Sequence, residues 1–178
     1  MEKIEKYTLI DSEYHSYDKN CPLVFKKIKQ IVTRNTQGVT VEPTGSSAIG
    51  VAGKNIIDIL VICKDKRYQP ILKTLESIGF QKSPFKNVSK KRPLRTGSIT
   101  YKGKVYLIHA HLTYYDSEDH RNILFFRDYL KSHKFLARKY VAIKRKAIES
   151  GRIEATEYNN EKEGFIHNIL LKRMKHNL

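Results

Sequence analysis

An α+β domain built on a small mixed sheet is what this sequence predicts, and three observations carry that expectation. The stretch "NIIDILVIC" (residues 55–63) is β-branched, apolar and bounded by turn residues, as a buried strand should be. "SITYKGKVYLIHAHLTYY" (98–115) reads as a hairpin with Lys102-Gly103 at its turn and a long second strand. From about Glu118 the pattern becomes helical to the end, which predicts helices flanking the sheet and C-terminal helices beyond it.

Taken in order, residues 1–19 are polar with scattered tyrosines and little periodicity, which predicts a loosely packed N-terminal arm. The whole chain, 1–178, is expected to be one domain. Pro22 can open a helix, and Phe25, Ile28, Ile31 and Val32 recur at helical spacing, so a helix is expected near 22–35. "VTVEPT" (39–44) alternates as a short strand after Gly38. Tyr68–Ile78, with Ile71, Leu72, Leu75 and Ile78 on one stripe, is an amphipathic helix closed by Gly79. Leu124, Phe125, Tyr129 and Leu130 mark one C-terminal helix. Phe135, Leu136, Tyr140, Ile143 and Ile148 mark a second, closed by Gly151, and Phe165, Ile166, Ile169 and Leu170 a third.

Composition narrows the partners. The 178 residues carry a net charge of +16, which favours polyanions such as nucleotides, RNA, DNA or an anionic membrane surface, or else reflects solvated lysines alone. Two cysteines, Cys21 and Cys63, make neither a disulfide framework nor a metal knuckle. The N-terminal stretch has no apolar core of a signal peptide and no segment approaches a membrane-spanning length, so a cytoplasmic protein without a membrane part is expected.

One carboxylate, Asp58, stands inside the strongest strand, and burying it is costly unless it pairs with something or binds something. Ahead of it, "TGSSAIGVAGK" (44–54) places Gly45, Ser46 and Ser47 in a turn whose hydroxyls and backbone N–H groups can cradle an anion, or merely cap a short helix. Metal-assisted phosphoryl chemistry needs that pairing of a hard oxygen ligand with phosphate donors. The plainer alternative is an ion pair between Asp58 and a cation such as Lys54.

His109 and His111 are two apart on a strand and so share a face, able to reach one metal or one phosphate, or to hydrogen-bond within the sheet. Residues 81–104 hold Lys82, Lys86, Lys90, Lys91, Arg92, Arg95, Lys102 and Lys104 with no acid, which suits phosphate, RNA or a basic loop. Arg127-Asp128 in "FFRDYL" reads as a charged pair anchoring its helix to the sheet or as a phosphate contact. Tyr158 and Lys162 read as an exposed helix face.

The segments "GSSAIGVAGKNIIDILV", "YLIHAHL", "FFRDYLKSH…Y…K" and "EYNNEKEGFI", in that order, resemble the GrpB family of the nucleotidyltransferase superfamily. The resemblance implies a nucleotidyltransferase-like, antiparallel-leaning mixed sheet with C-terminal helices. It also implies a transfer of nucleoside monophosphate from a nucleoside triphosphate to an unassigned acceptor, with a divalent metal, Mg²⁺ or Mn²⁺. On that reading Asp58 and His111 are catalytic, Asp58, His109 and His111 hold the metal, and Gly45, Ser46, Ser47, Lys54, Arg95 and Arg127 bind the nucleotide. The sequence departs from the superfamily where a second acid follows two residues on, which here is Leu60; GrpB sequences share that loss. A histidine usual before the Gly-Ser turn is Pro43 here, and a usual proline after Lys54 is Asn55. Either a later acid such as Asp116 or Asp128 completes the site, or the ion is not Mg²⁺, or catalysis is lost. The competing expectations are a catalytically silent nucleotide- or RNA-binding module, gripping RNA through residues 82–104, and a scaffold with no specific partner.

Overall fold

The structure, a computed structural model, describes residues 3–8, 14–64, 68–85, 88–89, 91–149 and 156–175, with the backbone alone for 147–149, 156–161 and 175. The elements are α1 (Cys21–Asn35), β1 (Val39–Thr44), α2 (Gly45–Ile49), β2 (Ile56–Cys63), α3 (Tyr68–Ser77) and β3 (Gln81–Lys82). They continue as β4 (Leu94–Tyr101), β5 (Lys104–Tyr114), α4 (Glu118–Ser132), α5 (Lys134–Glu149) and α6 (Thr156–Lys175).

The strands form one sheet in the order β1-β2-β5-β4-β3. The central pair β2–β5 is parallel and every other pair antiparallel, so the sheet is mixed and antiparallel-leaning as expected. A parallel pair needs a long crossover, and α3, β3 and β4 supply it. The Lys102-Gly103 turn joins β4 to β5 with both residues at positive φ, 50° and 76°, the backbone that matches the twist of its strands. Two strand features escape the sequence pattern. β4 starts at Leu94 rather than Ser98 and β3 has two residues, because neither stretch alternates in hydrophobicity.

Side-chain alternation gives the sheet two unlike faces. Ile57, Ile59 and Val61 of β2, with Ile108, Ala110 and Leu112 of β5, pack under Val24, Ile28 and Ile31 of α1 and Leu72 and Leu75 of α3. The opposite face carries Asp58, Leu60 and Ile62 beside His109, His111 and Thr113 in register. Leu60 and Ile62 are buried there too, which explains why β2 reads as an unbroken apolar run. A second cluster joins Leu130 of α4, Ala137 and Tyr140 of α5 and Ile169 of α6, with Ile49 and Val51 packed against it. That cluster ties the C-terminal helices to the segment that follows Gly45-Ser46.

Residues 3–8 and 14–19 are not the loose arm that their polarity suggests. Ile4 is buried in the main core and its N–H donates to the Ile78 carbonyl. Glu5 bridges Ser98 of β4, and His15 bridges Gly53. Backbone pairing of this kind leaves no periodic trace in side chains, so the sequence does not announce it.

Asp18 adds a side-chain anchor. Its carboxylate accepts from Lys104 Nζ at 2.7 Å, from the Tyr106 hydroxyl at 2.8 Å and from the Asn20 N–H at 2.8 Å. The Lys104 bond above all holds it well below the usual carboxylate range, and burial followed by Asp18 itself pushes Tyr106 up to about 12. Asp18→Ala leaves the buried Tyr106 hydroxyl without its acceptor and is expected to cost about 2–3 kcal/mol, which thermal melts of the variant would show. A group whose folded pKa is depressed stabilises the fold above its ordinary value and loses that contribution as pH falls through the folded one. The part of the gap between wild type and Asp18→Ala that depends on the Lys104 charge is therefore lost only in strong acid.

Candidate active site

Asp58 is the first β2 residue paired to β1, facing Thr44, where β1 ends and the chain turns into α2. The first residue of that turn, Gly45, has φ +66°, and a Cβ there would lie 2.1 Å from Asp58 Oδ2. The turn and the carboxylate are thus in direct apposition, as the spacing implied. On the other side of Asp58, β5 aligns His109 opposite it and His111 opposite Leu60. His109 Nδ1 lies 3.7 Å and His111 Nε2 3.9 Å from the same oxygen, Asp58 Oδ1.

Those distances are too long for hydrogen bonds, so the histidines do not simply pair with the carboxylate in the sheet. One donor atom from each of the three side chains lies within 4.8 Å of the other two, the arrangement of a candidate divalent-cation site. His109 is further held by the Tyr7 hydroxyl, 3.2 Å from its Nε2, and by an edge contact with Phe85. Burial pushes the His109 pKa down against the pull of Asp58, which favours the neutral imidazole that ligates metals. Leu60, two residues on from Asp58 and in register with His111, is fully buried, so no second acid follows Asp58 on this face of β2. Asp116 is exposed and paired to Arg121 at 2.9 Å, and Asp128 is exposed and paired to Arg127 at 2.8 Å. Neither joins the cluster.

A cleft of about 350 Å³ opens beside Asp58 and His109, lined by Gly45, Ser46, Ser47, Lys54, Lys144 and Lys162 among others. Lys144 reaches in from α5, is 8% exposed, and donates to the Ser46 hydroxyl and, at 3.0 Å, to the Ala52 carbonyl. Its ammonium also lies over the Tyr140 ring at 4.6 Å. Burial pushes the Lys144 pKa down to about 8, against the pull of Asp58 and with help from Lys162. Burial and then Lys162 also lower Lys54. Lys162 opposes the charge of both Lys54 and Lys144 in a single cleft, and an anion there would relieve that repulsion.

Of the residues singled out in the sequence, Asp58, His109 and His111 meet, and Gly45, Ser46, Ser47 and Lys54 line the same cleft. Among the described residues, the titratable groups within 4 Å of the Asp58 carboxylate are the two imidazoles and not Lys54. Arg95 is not in the site. Its register partner is Ala110, so it lies on the α1–α3 face, where it pairs with Glu76 at 2.8 Å. Arg127 is also absent from the cleft lining, because its guanidinium is spent on Glu42, Asp128 and the Pro43 carbonyl, anchoring α4 to β1. In the acid-free segment, Arg92 lies near Asp119 and Lys104 pairs with Asp18, while Lys86 and Lys90 are outside the described residues, as are Gly151 and the Tyr158 side chain.

Sequence reasoning missed Lys144 and Tyr7, and it placed Lys162 on an exposed helix face. For Lys144 the signal was present: Ala137, Tyr140, Val141 and Lys144 share one helical stripe, and a lysine in an otherwise apolar stripe asks for a partner. Tyr7 and Lys162 carry no such mark.

A mixed sheet with a carboxylate strand entered from a Gly-Ser turn, capped by C-terminal helices, is a nucleotidyltransferase-like fold. A family model described as GrpB protein matches residues 13–172, and the chain belongs to the GrpB family. The crystal structure of conserved protein GrpB from Enterococcus faecalis is similar at TM-score 0.72 and 22% identity, over 93% of this chain and 99% of that one. Cid1 in complex with the UTP analog UMPNPP is similar at TM-score 0.48 and 13% identity, over 72% of this chain and 40% of that one. A cytoplasmic RNA terminal U-transferase is similar at TM-score 0.47 and 12% identity, over 72% and 39%. Both of these likenesses are too weak to carry an activity to this chain. No curated protein matches the sequence. Among the described residues, no helix is long and apolar enough to cross a membrane.

Proposed function

We propose that the cleft binds a nucleoside triphosphate and that the protein transfers its nucleoside monophosphate to an acceptor hydroxyl. The observation that carries this reading is the convergence of Lys54, Lys144 and Lys162 on the Gly45–Asp58 apposition. Lysines offer point charges to a polyphosphate, and Ser46 and Ser47 add hydroxyls beside them. Asp58, His109 and His111 would hold a divalent ion, which when bound supplies Lewis-acid polarisation of a phosphoryl oxygen. In the transfer, the acceptor oxygen bonds to the α-phosphorus and the bond from that phosphorus to the bridging oxygen breaks. Pyrophosphate leaves with the electron pair, held by the lysines, and the hydroxyl proton passes to the Asp58 carboxylate.

Thermal shifts test the reading. A triphosphate at a hundredfold its dissociation constant stabilises by about 2.7 kcal/mol, or roughly 5–10 °C for a domain of this size. That rise is expected with Mn²⁺ present and is expected to shrink in Asp58→Asn. If no nucleoside triphosphate moves the melt with any divalent ion, the reading fails.

Leu60 favours a second reading, a nucleotide- or RNA-binding module of the same fold without transfer, since the site has one carboxylate where two-metal chemistry relies on several. It keeps the triphosphate shift but releases no pyrophosphate, and RNA affinity through the basic segment would fall steeply with salt.

A further inference from the structure

We infer that the Asp58–His109–His111 site is built for a borderline transition-metal ion of the Zn²⁺ or Mn²⁺ kind and not for Mg²⁺. The inference takes over from the proposed function only the metal role of these three side chains, and nothing about the nucleotide. Mg²⁺ demands octahedral oxygen coordination and is held through carboxylates, waters and phosphates. Here the protein's donors are two imidazole nitrogens and one carboxylate, a set that suits Zn²⁺, Fe²⁺ or Mn²⁺. Among the described residues no further carboxylate joins them: Leu60, two residues on from Asp58, is fully buried, and Asp116 and Asp128 are committed to arginines.

Geometry supports an ion rather than a proton between these groups. Both imidazoles turn a ring nitrogen toward one oxygen, Asp58 Oδ1, at 3.7 and 3.9 Å. Donors around a tetrahedral ion lie about 3.3 Å apart, so inward movements of these partly buried side chains, whose donor atoms lie within 4.8 Å of one another, would close the site.

Tyr7 supplies the outer contact that such sites use. A metal-ligating histidine usually has its second nitrogen held by an oxygen, which fixes the ring orientation. The Tyr7 hydroxyl lies 3.2 Å from His109 Nε2, leaving Nδ1 facing Asp58. Tyr7 is in turn placed by its own N–H, which donates to Gln81 Oε1 at 3.0 Å. Tyr7 is therefore a positioning residue, carried on the N-terminal segment that pairs with β4.

Calorimetric titration of the full chain, stripped with chelator and free of nucleotide, tests this with Zn²⁺, Mn²⁺ and Mg²⁺. One equivalent of Zn²⁺ is expected to bind at least about a hundredfold more tightly than Mg²⁺, with Mn²⁺ between them. Asp58→Asn, close to isosteric, and His111→Ala are each expected to remove that binding. Tyr7→Phe should weaken it about 10- to 100-fold with an unchanged circular dichroism spectrum, which separates a positioning role from misfolding. Mg²⁺ binding within tenfold of Zn²⁺, or Zn²⁺ binding that survives Asp58→Asn and His111→Ala in folded protein, overturns the inference. Tight Zn²⁺ binding without any triphosphate shift sustains it while removing the transfer reading. A Mg²⁺-dependent triphosphate shift without Zn²⁺ preference does the reverse.

Discussion

Gly45→Ala is expected to abolish both metal and triphosphate binding and to destabilise the protein by about 2–5 kcal/mol. Two costs combine, left-handed backbone for a residue with a Cβ and overpacking in a tight site. At φ +66° the new methyl would stand 2.1 Å from Asp58 Oδ2, 2.8 Å from Cγ and 2.9 Å from Cβ. The Asp58 backbone cannot retreat, because its neighbours Ile57 and Ile59 are locked in the core at 1% and 0% exposure. Either the carboxylate swings away from the histidines or α2 moves off the strand, and both outcomes dismantle the site. Gly50→Ala is the control. Gly50 has φ +84°, but a methyl added there would meet nothing within 4 Å, so backbone strain is its only cost and ligand binding should persist. Melting and calorimetry on the two variants measure the difference, and a Gly45→Ala protein that binds as wild type does would refute the apposition.

Lys144→Met is expected to move stability and binding in opposite directions. The buried ammonium has a pKa of about 8 against the ordinary lysine value of 10.5, a shift on the order of 3 kcal/mol against keeping the charge in the fold. The unfolded chain holds more protons between those two values, so wild-type stability rises with pH through that window and is lower beneath it. Methionine keeps the stem packing and removes the charge, but forfeits the bonds to Ser46 and Ala52, about 1 kcal/mol each. Near pH 7 the variant should therefore be more stable by about 1 kcal/mol, and above pH 10.5 less stable than wild type. Chemical denaturation at pH 7 and 10.5 would show the change of sign. Triphosphate affinity at pH 7 should fall about ten- to hundredfold, the worth of one charge-assisted contact. A uniform loss of stability at every pH would mean that Lys144 is a structural anchor instead.

The local elements were legible because they rest on local physics. β2 is β-branched and apolar, α1 and α3 carry helical stripes, and Lys102-Gly103 has the turn chemistry of a hairpin. The His-x-His spacing put two imidazoles on one face, and Gly45 and Asp58 could be matched as turn and carboxylate from their spacing. Backbone pairing of residues 3–8 with β4 was illegible, since it depends on N–H and C=O groups that nearly every residue has.

The two arginines show where composition misleads. Arg95 and Arg127 both looked suited to phosphate, yet strand parity sends Arg95 to the far face and three acceptors occupy Arg127. A guanidinium's role depends on which carboxylates fold beside it, and those can be distant in sequence. Lys144 is the converse case, 98 residues from the Ser46 it touches. The sequence by itself determined the strand, the turn, the histidine pair and the helical periods, because neighbours along the chain set backbone preference and facing. Only the tertiary structure decided that β2 lies parallel to β5, which aligns Asp58 with His109. It also decided that Lys54, Lys144 and Lys162 share one cleft and that Tyr7 holds a histidine, since those meetings come from packing between segments that local preference does not bring together.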